Sequence, residues 1–351
     1  MQPVRILILG TGGMAETHAR EFSAIPGVEL VAGVDTRPGP LQAFCEKHDI
    51  AHAFSSLEEA MEWGEFDAAA NVTPDAAHYA TTLPLLAEGK HVLCEKPLAT
   101  NASDAQAMAD AAAQAGVVNM VNLTYRNVPA LQQAAKMVRA GDIGTIRHFE
   151  ASYLQSWLTQ PAWGDWRSES QWLWRLSKDH GSKGVLGDVG IHILDFTTFI
   201  AAQEATSVSC RLATYDKAPD GRIGDYNLDA NDSATMQIVL ENGTIGTVAA
   251  TRFASGHLND LRLRLYGDRG GLEVSLEKNV SRLRACLEPD LESATWQEIE
   301  CPATPTTFQR FIAAIRKEGP AEPDFSRGAA LQQLLDRAED SALQDSLSLA
   351  V

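Results

Sequence analysis

The sequence predicts an α/β chain: an N-terminal Rossmann domain with a doubly wound parallel sheet, then a C-terminal α+β domain with a large open, mainly antiparallel sheet. Three observations carry this. Through the first third, apolar runs alternate with segments of helical period, the signature of repeated strand–helix–strand units. A glycine-rich turn, Gly10-Thr11-Gly12-Gly13, follows the first apolar run without a gap. Beyond residue 200, strand-like runs succeed one another across tight turns, as antiparallel neighbours do. The length of 351 residues exceeds what a single core normally serves. Two domains are therefore expected, residues 1–123 and residues 124–351.

The elements follow in order. Val4–Leu9 is an apolar run that suits a strand buried on both faces. Met14 to Ile25 has helical period, with Met14, His18, Phe22 and Ile25 on one side, and Pro26-Gly27 ends it. Val28–Val34 is a second buried strand, 42–48 a short helix, 68–72 a third strand and 78–88 a helix that Gly89 stops. The segment 91–94 is a fourth strand, 103–115 an Ala-rich helix closed by Gly116, and 117–123 a further strand. After the boundary come a helix at 132–140, a one-face-wet strand at 146–153 and a helical segment at 185–201. Strand signals then dominate, at 208–215, 234–240, 244–253, 261–266 and 272–276, with Glu241-Asn242-Gly243 and Gly267–Gly271 as hairpin turns. Helices at 307–317 and 328–342 close the chain.

Composition narrows the function. Hydrophobic residues make up 45% and charged residues 21%, enough apolar surface to bury large cores without staples. The five cysteines, Cys45, Cys94, Cys210, Cys286 and Cys301, form no CxxC or Cys/His cluster. That scatter suits a reducing, cytoplasmic setting and argues against a structural metal. The first strand begins three residues from Met1, which leaves no room for an export signal. No apolar stretch reaches the roughly 18 residues that a membrane span needs. A net charge of −17 repels nucleic-acid phosphates and anionic lipid, so neither is an expected partner. Any bound phosphate must rely on backbone N–H groups or a few placed cations.

Gly10-Thr11-Gly12-Gly13-Met14-Ala15 fits GxGxxG/A in strand–turn–helix context. Gly10 permits the tight turn, Gly12 lets backbone approach a pyrophosphate, and Ala15 is small enough for helix–strand packing. The helix N-terminus offers N–H groups to phosphate. The second strand ends at Asp35, placed to accept a hydrogen bond from a ribose 2′-OH, and Thr36 and Arg37 follow. A carboxylate there favours NAD, because it repels a 2′-phosphate. Arg37 could instead meet a 2′-phosphate, which leaves NADP open. Without a ligand the same motif would be a structural glycine turn.

Two further constellations stand out. Cys94-Glu95-Lys96-Pro97 lies at the C-terminal end of a parallel strand, where open α/β sheets bind ligands. Asp188, His192 and Asp195 stand at i, i+4 and i+7, so one helix face would carry carboxylate, imidazole and carboxylate. Such a face could orient a histidine as general acid or base, hold a metal, or be an ordinary capped helix with a core histidine. Five of the seven tryptophans, Trp157, Trp163, Trp166, Trp172 and Trp174, fall within 18 positions. They could wall a sugar pocket, or pack into the core or another subunit.

Taken together, these residues resemble the Gfo/Idh/MocA family, the group of glucose–fructose oxidoreductase and inositol 2-dehydrogenase. The likeness rests on the early GxGxxA, Thr73-Pro74 followed by His78, Glu95-Lys96-Pro97, Tyr125-Arg126 with Pro129-Ala130, Trp174-Arg175, and the run from Gly184 through Asp188 and His192 to Asp195. The resemblance implies a nicotinamide-dependent dehydrogenase or reductase acting on a sugar, inositol or related polyol, with a homodimer or homotetramer formed through the second domain's sheet. It implies Lys96 as the catalytic-site lysine, His192 as proton acceptor or donor, and Asp188 as the group that helps hold the substrate. It places Gly10, Thr11, Gly12, Gly13, Met14, Asp35, Thr36, Arg37, Thr73, Pro74, His78, Glu95 and Lys96 against the cofactor, with Arg126, Trp174 and Arg175 toward its nicotinamide end. No metal is implied. Two positions depart from the family pattern: Asp75 where Asn is common, and Gly181-Ser182-Lys183-Gly184 where three glycines are common. Lys183 is placed to reach the mouth of a pocket. The alternatives are a glycoside-cleaving enzyme that oxidises its substrate transiently with bound NAD, and a non-catalytic NAD(P) sensor.

Overall fold

The computed structural model describes residues 3–351, with only the backbone described at Ser170 and Gln171. One compact unit comprises the chain to Thr124 together with Pro305–Gln332, and the other comprises Tyr125–Thr304 with Gln333–Val351.

The first unit is built on strands buried on both faces. β1 (Val4–Leu9), β2 (Val28–Val34), β3 (His52–Phe54), β4 (Ala68–Asn71), β5 (His91–Cys94) and β6 (Asn119–Val121) form one sheet in the order β3-β2-β1-β4-β5-β6. Every pairing in it is parallel. The order reverses between β1 and β4, and a doubly wound sheet opens its ligand crevice at the carboxyl ends of such strands. α1 (Gly13–Ser23), α2 (Pro38–Lys47), α3 (Leu57–Trp63), α4 (His78–Ala87) and α5 (Ala102–Ala115) connect the strands. His18 and Phe22 of α1 are buried as the helical period predicts, but Met14 is 47% exposed, at the open end of the helix.

The sequence reading assigned everything after residue 123 to a second domain. Instead, the segment 305–332 groups with the first unit. Phe308, Phe311 and Ile312 of α9 (Thr307–Ile315) enter the same core as Ile6, Ile8 and Phe22. The Phe22 and Phe308 rings meet edge-on at 5.2 Å. Thr306 and Gln309 form a capping box that starts α9 at this point. A helix period shows which face is buried but not which core receives it.

The second unit carries a nine-stranded sheet. Its strands are β7 (Ile146–Gln155), β8 (Ala205–Ala213), β11 (Ser233–Leu240), β12 (Ile245–Thr251), β13 (Asn259–Gly267), β14 (Gly270–Glu277), β15 (Val280–Leu287), β16 (Gln297–Ile299) and β17 (Leu349–Ala350). A separate hairpin pairs β9 (Arg222–Ile223) with β10 (Tyr226–Asn227). The large sheet runs β16-β15-β14-β13-β7-β12-β11-β8-β17. Only β7 and β12 pair in parallel, so the sheet is mixed and mainly antiparallel. Side chains along β11 and β12 alternate between buried and exposed. α6 (Pro129–Ala140) and α8 (Ile191–Ala201) pack on each other and on this sheet.

Several elements escaped the sequence reading for physical reasons. β3 is a three-residue edge strand with no buried residue. α3 buries only Leu57 and Ala60, too little for a visible period. β15 carries Arg282 and Arg284 on alternate positions. α2 begins at Pro38, earlier than expected, because proline is tolerated in a first turn where N–H groups lack helical partners.

Candidate active site

The end of β1 turns at Gly10, whose φ of +91° places it in a region side chains avoid. A Cβ there would lie 2.8 Å from the Val72 carbonyl oxygen. The turn thus needs glycine for both conformation and contact with the end of β4. Gly12 caps α1 without any side-chain cap bond. A Cβ on Gly12 or Gly13 would meet nothing within 4 Å. An uncapped helix N-terminus behind open space fits a dinucleotide pyrophosphate.

Asp35 closes this cradle. Its Oδ2 accepts the Thr11 backbone N–H at 2.9 Å and the Thr11 hydroxyl at 2.7 Å. Arg37 grips the same carboxylate through Nε at 3.0 Å, Nη2 at 2.9 Å and its backbone N–H at 2.9 Å. Hydrogen bonding from Arg37, aided by Thr11, outweighs burial and holds Asp35 far below the usual carboxylate range. The Arg37 side chain is 61% exposed, so its half of the pair faces solvent. Thr36 is exposed beside it.

The ends of β4 and β5 are braced from behind. Buried Asn71 accepts both the Thr73 N–H and the Thr73 hydroxyl, and donates to Thr81 and Thr82. His78 is buried with Nδ1 2.8 Å from the Pro97 carbonyl and Nε2 2.9 Å from the Thr73 carbonyl. Two acceptors require two N–H donors, so the ring is an imidazolium. Burial opposes that charge, but the Cys94 sulfur, Asp75 and the Pro97 carbonyl push the pKa up to about 10. His78 therefore staples the Thr73-Pro74 loop to the Lys96-Pro97 loop. Glu95 is likewise buried: Oε1 lies 2.7 Å from His18 Nε2 and accepts Asn122 Nδ2 at 2.7 Å, while Oε2 accepts the Lys96 N–H at 3.2 Å. Burial raises the Glu95 pKa, yet His18, Asn122 and the Lys96 charge hold it at about 2. Both residues anchor the loop that carries Lys96.

In the second unit a π-helical turn, Leu186–Gly190, leads into α8. Gly184 precedes it at φ +67°, with Asn231 so close that a Cβ would sit 2.4 Å from its amide. Asn231 accepts the Leu186 N–H at 3.0 Å and donates to the Lys183 carbonyl at 3.2 Å, fixing the entry to the turn. Asp188 emerges from the turn 29% exposed and accepts Arg252 Nη2 at 3.0 Å, with Arg175 Nε at 3.8 Å. His192, 8% exposed, meets the edge of Tyr125 with ring centroids 4.9 Å apart.

The helix face predicted to carry His192 and Asp195 meets two consecutive residues, Tyr125 at His192 and Arg126 at Asp195. On that face Arg126 donates to Asp195 in fork geometry, Nε to Oδ2 at 2.6 Å and Nη2 to Oδ1 at 2.7 Å, and stacks over Phe199 at 3.6 Å. That carboxylate balances a buried guanidinium. Arg126, expected near nicotinamide, is held in this buried pair. Lys183, expected at a pocket mouth, lies 3.7 Å from Glu339. Trp157 and Trp166 fill a small core with Leu158, Leu173, Leu176 and Leu228, and Trp163 and Trp172 pack against it. Trp174 stays 36% exposed beneath Arg175, whose guanidinium lies 4.5 Å from its ring.

The sequence reading missed a polar network beside His192. The Tyr125 and Tyr153 hydroxyls are 2.5 Å apart, Tyr153 donates to Asn259 Oδ1 at 2.5 Å, and Asn259 Nδ2 donates to Tyr125 at 2.8 Å. Gln155 donates to Asn259 and accepts Trp157 Nε1. Burial, then Tyr125 and Asp188, raise Tyr153 well above the usual tyrosine value, so it stays protonated. Tyr153 lies on β7, whereas Arg252 and Asn259 lie at the end of β12 and the start of β13, so no local spacing joins Tyr153 to the other two.

Residues 4–123 match the oxidoreductase family with an NAD-binding Rossmann fold, and residues 131–273 match the GFO/IDH/MocA C-terminal domain. The chain is 26% identical to levoglucosan dehydrogenase of Pseudarthrobacter phenanthrenivorans, over 99% of this chain and 98% of that one. It is 31% identical to D-glucoside 3-dehydrogenase of Escherichia coli over 70% of this chain and 66% of that one. A Bacillus subtilis NADP-dependent scyllo-inositol 2-dehydrogenase is 34% identical over 43% of this chain and 46% of its own. Among solved structures, an oxidoreductase domain protein from Kribbella flavida superposes with a TM-score of 0.88 at 29% identity, covering 100% of both chains. Levoglucosan dehydrogenase in complex with NADH has the same fold, with a TM-score of 0.88 at 24% identity over 100% of this chain and 99% of that one.

Proposed function

Because the chain belongs to the Gfo/Idh/MocA oxidoreductase family and carries its NAD-binding Rossmann domain, we propose that it interconverts a secondary alcohol and a ketone on a sugar, inositol or related polyol. The observation that carries this is the near-buried His192 imidazole, four residues from an arginine-held carboxylate, Asp188, that opens to solvent. The names of the relatives supply the substrate class.

Nicotinamide, when bound, exchanges hydride with the carbinol carbon. In our reading Gly10 to Met14 receive the pyrophosphate, Asp35, Thr36 and Arg37 meet the adenosine ribose, and Thr73, Pro74 and the loop braced by His78 and Glu95 flank the nucleotide. His192 takes the hydroxyl proton in oxidation and returns it in reduction. Lys96 is the catalytic-site lysine of this reading, and its ammonium would stabilise negative charge developing on a substrate oxygen. Asp188 orients the substrate, and Trp174 with Arg175 borders it. The five cysteines are free thiols, which suits a reducing cytoplasm. A homodimer or homotetramer would use the exposed face of the nine-stranded sheet.

The test is purified chain incubated with NAD and a panel of sugars, inositols and levoglucosan, followed at the NADH absorbance. Turnover of at least one member is expected. Sugar release without net NADH would instead indicate glycoside cleavage, and inertness across the panel with tight NADH binding would indicate a sensor. His192→Ala should lower kcat by about 10²–10⁴-fold, the usual worth of general acid–base help, with NADH affinity retained. Undiminished turnover in that variant would remove His192 from the mechanism.

A further inference from the structure

We propose that Arg252 is the positioning residue for Asp188, its buried guanidinium fixing the rotation and charge of the carboxylate that our functional reading sets at the substrate. Arg252 stands just beyond the end of β12 and is fully buried, at 0% exposure. Its backbone N–H donates to the Asp232 carbonyl at 3.0 Å. Nη1 donates to the Arg175 carbonyl at 3.0 Å and Nη2 to Asp188 Oδ2 at 3.0 Å. The guanidinium carbon lies 5.0 Å from the Trp157 ring centroid. One side chain therefore ties the sheet to the π-helical turn bearing Asp188 and to the backbone beneath Arg175.

The asymmetry of the pair argues for positioning over stability. An enclosed cation is expensive unless a carboxylate answers it. The other carboxylate acting on Arg252 electrostatically, Asp232, is itself enclosed with Lys217 Nζ at 2.5 Å, their side chains 0% and 1% exposed. Asp188, by contrast, is 29% exposed. A dry cation thus grips one oxygen of a carboxylate that is itself partly exposed. Arg175, 31% exposed and 3.8 Å away, is the looser of the two cations on it. Burial lowers the Arg252 pKa, and Asp188 and then Asp232 offset part of that.

The experiment compares the full-length chain with Arg252→Met, Arg252→Lys, Asp188→Asn and the double variant R252M/D188N. Levoglucosan, myo-inositol and D-glucose with NAD are the probes, and NADH fluorescence titration and thermal melts accompany the kinetics. Arg252→Met should lower kcat by 30-fold or more, with the NADH Kd within twofold. The acid limb of its kcat/KM profile should move to higher pH, because a carboxylate stripped of its cation holds a proton more tightly. Arg252→Lys should recover part of the loss. The double variant should be no slower than Asp188→Asn alone, because in this proposal the effect of Arg252 on turnover runs through Asp188. It also removes both charges, and so tests the idea even if Arg252→Met fails to fold. Losses that multiply in the double variant, or an Arg252→Met enzyme as fast as wild type beside a crippled Asp188→Asn, overturn the proposal. Full activity in Asp188→Asn, or no turnover of any probe, would instead overturn the functional reading and this proposal with it.

Discussion

Asp35 and Arg37 make cofactor choice a question that a single substitution can answer. The carboxylate receives five donors: two from Thr11, two from the Arg37 guanidinium and one from the Arg37 backbone. A carboxylate offers about four lone-pair sites, so a ribose 2′-OH must displace a donor. The guanidinium is the donor nearest to solvent, with 61% of its side chain exposed, and an exposed ion pair is worth only about 0–1 kcal/mol. Arg37→Ala should therefore leave NADH affinity unchanged or tighten it by at most about fivefold. For NADPH the released guanidinium is the cation available to the 2′-phosphate. A charge-assisted hydrogen bond of about 1.5–3 kcal/mol predicts a loss of roughly 10- to 150-fold. The assay is fluorescence titration of wild type and variant with NADH and NADPH at two salt concentrations, with thermal melts as a folding control. If both affinities fall together, or NADPH binding does not change, Arg37 does not discriminate between the cofactors.

Two further substitutions test the cofactor side of the first unit. Gly10→Ala puts a side chain at φ +91° and 2.8 Å from the Val72 carbonyl, which should destabilise by about 2–4 kcal/mol and weaken NADH binding tenfold or more; an unchanged melting temperature would refute the close approach of the two strand ends. The His78 pKa is raised from 6.5 to about 10, so its proton-linked stability is complete below pH 6.5 and is lost as pH rises through 10. Melts between pH 7 and 10 should show wild type losing about 5 °C more than His78→Gln, and parallel curves would mean that the ring is neutral.

The sequence by itself determined the fold class, the nucleotide-binding domain and the family. Each of these is written locally: Gly10, Gly12 and Asp35 lie within one βαβ unit, and the run from Gly184 to His192 lies within one turn and helix. Local spacing set Asp195 one helical turn from His192 but could not foresee that Arg126 would take that carboxylate at 2.6 Å. Tertiary structure alone decided how each polar group is satisfied. It assigned Phe308 and Phe311 to the first core across nearly three hundred residues, joined Tyr125, Tyr153 and Asn259 into one network, and set Arg252 against Asp188. Periodicity tells which side chains leave water. The partner a buried charge or hydroxyl finds depends on which distant strands become neighbours, and sheet register sets that. The GxGxxA turn therefore announces nucleotide binding from the sequence alone, whereas the grip of Arg37 on Asp35, which bears on which nucleotide is held, became visible only in the fold.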